Sequence, residues 1–190
     1  MDGAPAWDGT SLLPTLYLLH GGTDDHTIWQ RRTSLERCVS GRRLAVVMPN
    51  VNLSFYADMK YGQKYWTFVS QELPETCQRM FRLSRRREDN FVAGQSMGGY
   101  GALKLSLSYP ERYAAVAALS AGTEVANMYD EDPAQADMPR RLNSIFGSKE
   151  EFVGSDNDLH VLARRAAGAV LRPRILLAVG KEDFLYGDSA

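Results

Sequence analysis

The stretch FVAGQSMGGYGALKLSLSYPER, Phe91 to Arg112, decides the fold. It opens as an apolar strand, passes through Gly94-Gln95-Ser96-Met97-Gly98, and continues as a helix stopped by Pro110. G-x-S-x-G alone is a weak pattern, but between a strand and a helix it has the setting of a nucleophile elbow. Such a turn forces the serine into a strained conformation, and small neighbours let strand and helix approach closely. The helix N-terminus then favours negative charge developing beside Ser96. An ordinary glycine-rich turn with an incidental serine is the plain alternative.

Outward from this stretch, short β-rich runs alternate with longer helix-like segments, the pattern of a parallel sheet covered by helices. Strands are expected at Thr15–His20, Leu44–Pro49, Asn90–Gly94, Ala114–Ser120 and Arg174–Gly180. Most are nearly continuous in apolar residues, as in strands buried on both faces. The spacing of Phe68, Val69, Leu73, Cys77, Met80 and Phe81 predicts a helix from about Tyr65 to Phe81, with a kink or restart at Pro74. From about Thr123 to Gly168 the pattern loosens around Pro133, Pro139, Gly147 and Gly154. An insertion of short helices and loops over the strand ends is expected there, within one domain spanning 1–190.

Two further pieces match the elbow. LYLLHGG runs a strand into His20-Gly21-Gly22. A tetrahedral acyl-transfer intermediate needs two preorganised donors on its oxyanion. The Met97 N–H, following the nucleophile, is one, and a backbone N–H of the loop after the His-Gly pair, assigned to Gly22, is the other. In AVGKEDFLYGDS, Asp183 follows the last expected strand by three residues. Groups so placed gather at the carboxyl ends of the strands, where an aspartate can orient an imidazole. Capping of the next helix is the alternative role for Asp183.

The bulk numbers set limits. With 190 residues the chain has room for one sizeable core. Its 22 basic and 23 acidic residues leave a net charge of -1, which gives no electrostatic case for nucleic acid or an anionic membrane as partner. Arg85-Arg86-Arg87, followed at once by Glu88 and Asp89, reads as a solvated turn. Cys38 and Cys77 fit neither a disulfide framework nor a metal-spaced pattern, and free thiols suit a reducing compartment. No apolar run approaches the roughly 18–20 residues of a membrane span, and the acidic, Pro-containing N-terminus lacks the signature of a signal peptide. A cytoplasmic location is expected. Monomer, dimer or larger assembly all fit this composition. No phosphate-binding glycine motif follows a strand.

Taken together, LYLLHGG, LAVVMPNVNLSFYADM, YWTFVSQELPETCQRMF, REDNFVAGQSMGGYGALKLSLSYPERYAAVAALSA and EDFLYGDS resemble the esterase D-like branch of the α/β-hydrolase fold. The likeness is nearest to the bacterial tributyrin esterase (acetyl esterase) group. S-formylglutathione hydrolases, feruloyl esterases and mycolyltransferases are more distant relatives. The resemblance implies a mostly parallel, doubly wound sheet with helices on both faces. It also implies Ser96 as nucleophile, Asp183 as triad acid, Met97 and Gly22 as oxyanion donors, short-chain acyl esters as substrates, and neither metal nor cofactor. Trp66 and the Asn52–Asp58 loop fall where such enzymes build substrate-facing surface, although core packing explains Trp66 equally well.

The chain order of such a triad is Ser, Asp, His, yet none of the seven residues after Asp183 is histidine. The chain therefore reads as a piece of a longer hydrolase, cut at both ends, with its histidine beyond Ala190. Of the histidines present, His20 is expected to fix the His-Gly turn and His26 to be a surface or capping residue, while His160, inside the insertion, precedes Asp183. Unpaired sheet edges and an uncovered face predict poor solubility for residues 1–190 alone. Two other readings stay open: a thioester hydrolase of the S-formylglutathione type, and a non-catalytic protein that uses the fold to bind a ligand or partner.

Overall fold

The computed structural model describes residues 9–130 and 137–189. The first eight residues of the N-terminal leader and Pro133 of the insertion lie outside them. Five strands form where apolar runs were expected: β1 (Thr15–Leu19), β2 (Ala45–Val47), β3 (Asn90–Gln95), β4 (Ala115–Leu119) and β5 (Arg174–Ala178). All pair in parallel, in the order β2-β1-β3-β4-β5. Leu19 lies opposite Gly94, Gly94 opposite Ala118 and Ala118 opposite Leu177, so the carboxyl ends of β1, β3, β4 and β5 line up along one edge.

Two short helices, α1 (Ile28–Arg32) and α2 (Leu35–Val39), connect β1 to β2. That step runs along the sheet in the opposite direction from β3 to β4. Right-handed crossovers then put α1 and α2 on one face and the β3–β4 connection on the other. The direction of winding reverses between β1 and β3, and the crevice beyond the strand ends at such a reversal is where open α/β sheets bind ligands.

The segment from Tyr65 is continuous but not uniform. It begins as α3 (Tyr65–Thr67), widens into a π-helical turn over Phe68–Glu72, and resumes as α4 (Leu73–Met80). Pro74 follows the π-helical turn directly, and the Ser70 carbonyl that its missing N–H leaves free accepts from the Arg112 guanidinium at 2.8 Å. The expected restart is therefore real, one residue ahead of the proline. The expected apolar stripe is not. Val69 and Cys77 are buried, whereas Met80 is 70% exposed, and Phe81, beyond the helix end in extended conformation, is 60% exposed.

The helix after Ser96, α5 (Met97–Ser108), is buried along its first ten residues. It packs on β3 and β4 beneath it and on α8 (Leu159–Ala167) beside it. Residues 123–168 also supply a 3-10 turn at Val125–Asp130, α6 (Met138–Ile145) and α7 (Lys149–Phe152), the latter opened by a Ser148–Glu151 capping box. Leu142, Ile145, Phe146, Phe152, Leu159 and Leu162 join the same hydrophobic cluster as Tyr17, Val92 and Tyr100.

Burial of every strand on both faces does not hold. β5 is exposed along its whole length because it is an edge strand with β4 as its one neighbour. On the face away from α5, Leu16, Phe91, Ala93, Ala115, Ala117 and Leu176 line an open apolar hollow of about 450 Å³.

Candidate active site

The elbow is built by close contact. Ser96 has φ 56° and ψ −122°, a region a side-chain-bearing residue enters only under strain. Its N–H donates to the Leu119 carbonyl across to β4 at 2.9 Å, and its carbonyl accepts the Tyr100 N–H at 3.1 Å. A Cβ on Gly94 would lie 2.2 Å from the Gly98 carbonyl oxygen, and one on Gly98 would lie 2.4 Å and 2.7 Å from the carbonyl oxygens of Leu19 and His20. The two glycines thus let α5 sit against both its own strand and the end of β1.

That packing brings the His-Gly turn alongside Gln95 and Ser96. A Cβ on Gly21 would meet Gln95 Oε1 at 2.9 Å and the Gln95 carbonyl at 3.4 Å. His20 is fully buried and spans the turn. Its Nδ1 lies 2.8 Å from the Gly21 carbonyl, and its Nε2 lies 3.0 Å from the Val51 N–H. Those partners require a neutral ring that donates from Nδ1 and accepts at Nε2. Burial favours that state by lowering the His20 pKa, against a smaller opposing pull from the Gly21 carbonyl. His20 therefore acts as a loop brace, as its sequence position suggests.

Asp183 stands three residues past the Gly180 that follows β5. Its carboxylate is held below the usual range by the Ser120 hydroxyl first and the Leu185 N–H second. Ser120, at the end of β4, sends its own N–H to the Ala178 carbonyl at 2.7 Å. Elbow, Ser120 and Asp183 are thereby joined through backbone and side-chain bonds across β3, β4 and β5. The Leu185 contact, at 2.9 Å, also shows Asp183 ordering the turn into α9 (Tyr186–Ser189). The capping alternative thus has a hydrogen bond behind it.

The other histidines stand apart. His160 Nε2 pairs with Glu124 Oε1 at 2.7 Å on the exposed rim, and His26 is exposed before α1. None of the three shares a hydrogen bond with Ser96 or Asp183. Among the described residues no group of three or more His, Cys, Asp or Glu could hold a metal ion, and no helix is long and apolar enough to cross a membrane.

Of the two substrate-surface expectations, Trp66 needs correction and the loop is divided. Trp66 stacks on Tyr109 (centroids 5.8 Å apart, 18° between planes) and carries the Lys104 ammonium 4.3 Å over its ring, which makes it packing on the far half of α5. In the Asn52–Asp58 loop, Ser54, Phe55, Tyr56 and Ala57 are buried, while Asn52 is exposed and the half-buried Leu53 lies against Gly22, where a Cβ would be 3.2 Å from Leu53 Cδ1. Tyr56 donates its hydroxyl to the His20 carbonyl at 2.9 Å, and the Phe55 N–H points at Met97 Sδ at 3.4 Å. The sequence reading passed over Tyr56 and Lys104. The available signal was a lysine set within the apolar run of α5.

Strain is concentrated at this edge. Among the described residues, six non-glycine residues have positive φ: Thr23, Asn52, Phe55, Tyr56, Ser96 and Ser120. Every one lies at or beyond the carboxyl end of a strand from β1 to β4.

Comparison with known proteins agrees with this architecture. The Esterase family model, described as "Putative esterase", matches residues 5–190. An acetyl esterase of Caldicellulosiruptor saccharolyticus is 32% identical over 187 residues, which are 93% of this chain and 68% of that protein. Among solved structures, the substrate-bound fluorophosphonate-binding serine hydrolase F of Staphylococcus aureus superposes with a TM-score of 0.84 at 39% identity, covering 94% of this chain and 69% of its own. An S-formylglutathione hydrolase from the same organism gives 0.80 at 38%, with the same coverage. The chain belongs to the Esterase family, whose serine-hydrolase members share this parallel α/β-hydrolase sheet.

Proposed function

We propose that this chain is the nucleophile-bearing part of a serine carboxylesterase for short-chain acyl esters. Ser96 Oγ attacks the ester carbonyl and forms the Oγ–C bond, and its proton passes to an imidazole oriented by Asp183. The carbonyl oxygen becomes an oxyanion held by the N–H groups of Met97 and Gly22. The tetrahedral species collapses by breaking the bond to the alcohol oxygen, which leaves with the proton. Water then repeats the sequence on the acyl-enzyme, releases the acid and restores Ser96. We assign the base to a histidine that residues 1–190 do not supply. The observation that carries the reading is Ser96 at φ 56° with the His20-Gly21-Gly22 turn packed against it.

Without its histidine such a site retains about 10³–10⁴-fold acceleration over water from the oxyanion hole and binding alone, a rate that does not need the serine, so serine dependence is expected once an imidazole is supplied. The test is p-nitrophenyl butyrate hydrolysis by the chain and by Ser96→Ala, with and without added imidazole, after subtracting the protein-free rate. A slow rate that imidazole raises in the parent and not in Ser96→Ala is the expected result. Equal rates for the two proteins in both conditions overturn it.

The similarity to an S-formylglutathione hydrolase supports a second reading, thioester hydrolysis. A serine-dependent rate on a glutathione thioester that exceeds the rate on the oxygen ester would favour it.

A further inference from the structure

Lys104 is the one lysine in the buried core, 2% exposed, two helical turns beyond Met97 on α5. Burying an ammonium is expensive unless it is paired or hydrogen-bonded, and here each contact leads to a different segment. Nζ donates to Asn157 Oδ1 at 2.6 Å, in the loop before α8, and to the Tyr56 carbonyl at 3.3 Å. It rests on Trp66 of α3. Tyr56 in turn donates its hydroxyl to the His20 carbonyl, and its ring fills the space over Gly101, where a Cβ would lie 2.4 Å from Tyr56 Cδ2.

The carbonyl that Lys104 holds belongs to a residue in the left-handed region, φ 52°, next to Phe55 at φ 48° and near Asn52 at φ 51°. A loop with three such residues needs outside restraint to keep its shape. The restraints present are Lys104 on Tyr56, His20 Nε2 on the Val51 N–H, and Met97 Sδ on the Phe55 N–H. The loop thus touches both segments that carry the oxyanion donors, the His-Gly turn and Met97. We infer that Lys104 is a positioning residue of the acyl-transfer site, holding the Val51–Ala57 loop so that the Gly22 and Met97 N–H groups converge on one oxygen. This inference rests on the esterase reading of Ser96.

Oxyanion donors act mainly in the transition state, so loss of alignment is read in kcat more than in KM. The test measures the Ser96-dependent rate on p-nitrophenyl butyrate, with imidazole, for Lys104→Met, Tyr56→Phe and the double variant. Each single variant is expected to lower kcat about tenfold or more with KM within about twofold, as an oxyanion-type contact does. Because both act through one chain of contacts, the double variant should fall little below the worse single. Lys104→Arg, which keeps N–H donors on a long side chain, should recover part of the loss. Circular dichroism and the urea midpoint identify any variant that fails to fold, and Tyr56→Phe, which deletes a single oxygen, remains interpretable if Lys104→Met does not. Unchanged kcat in either folded single variant, or multiplicative losses in the double, overturns the role of Lys104. Equality of the parent with Ser96→Ala would sink the esterase reading itself, and the two failures are distinct.

Discussion

Replacing Lys104 by methionine keeps most of the length of the side chain and removes its charge, which makes the electrostatic cost of burial measurable. Burial lowers the Lys104 pKa from 10.5 to about 7, and the carboxylates of Asp58 and Asp156 only partly oppose this. The Tyr56 and Asn157 oxygens and the Trp66 ring complete its surroundings. Between about pH 7 and 10.5 the unfolded chain keeps a proton that the folded chain has released, so stability rises with pH in that window. Below pH 7 both states are protonated and the slope vanishes. The limiting slope is ~1.4 kcal/mol per pH unit, and rounding near the folded pKa leaves a gain of roughly 2 kcal/mol between pH 7 and pH 9. Urea unfolding followed by tryptophan fluorescence at pH 6, 7, 8 and 9 gives the free energy of the parent and of Lys104→Met. Other titrating groups, among them Cys77, whose buried thiol is pushed up and pulls the opposite way, cancel in the difference between the two proteins. That difference should be flat from pH 6 to 7 and should then move by roughly 2 kcal/mol in the parent's favour by pH 9. A constant difference across the whole range would refute the reasoning, because it would mean that the buried ammonium keeps its proton.

Two further outcomes follow from packing. Gly98→Ala places a methyl 2.4 Å from the Leu19 carbonyl oxygen, a backbone atom that cannot swing aside. A loss of about 3 kcal/mol or more is expected, and a urea midpoint within error of the parent would contradict the contact. Leu176→Lys puts a charge at a position 58% exposed on β5, beside the open hollow. Light scattering at matched concentration should show less association, as charges on edge strands discourage pairing; an unchanged profile would mean that this face does not drive aggregation.

What the sequence discloses depends on whether the controlling force is local. The parallel sheet was legible because each strand is a compact apolar run, and the elbow because glycine is the only residue that fits at Gly94 and Gly98. β5 has the same apolar signature as β4, yet it is exposed, since a run of Ile and Leu records an affinity for neighbours and not their presence. The shape of the Asn52–Asp58 loop was hidden for the opposite reason. Asn52, Phe55 and Tyr56 sit in left-handed conformations that bulky side chains avoid, held there by His20, Met97 and Lys104 from remote parts of the chain. No local preference announces such an arrangement. Trp66 could be read either as surface or as packing until Tyr109 and Lys104 appeared on its two sides.

The gathering of strained backbone on one edge bears on how such a protein would respond to engineering. Each non-glycine residue held in the left-handed region costs on the order of 1–3 kcal/mol, and net stability is typically about 5–15 kcal/mol. Glycine or asparagine at Thr23 or Ser120 would relieve part of that load, so a library sorted on melting temperature alone should enrich changes there, whereas at the buried Phe55 and Tyr56 the lost core packing would outweigh the relief. Ser120 also follows the residue that holds the Ser96 N–H, and its hydroxyl engages Asp183. Heat selection would climb by relaxing the rim, and its most thermostable winners would be the sequences in which Ser96 has lost its setting.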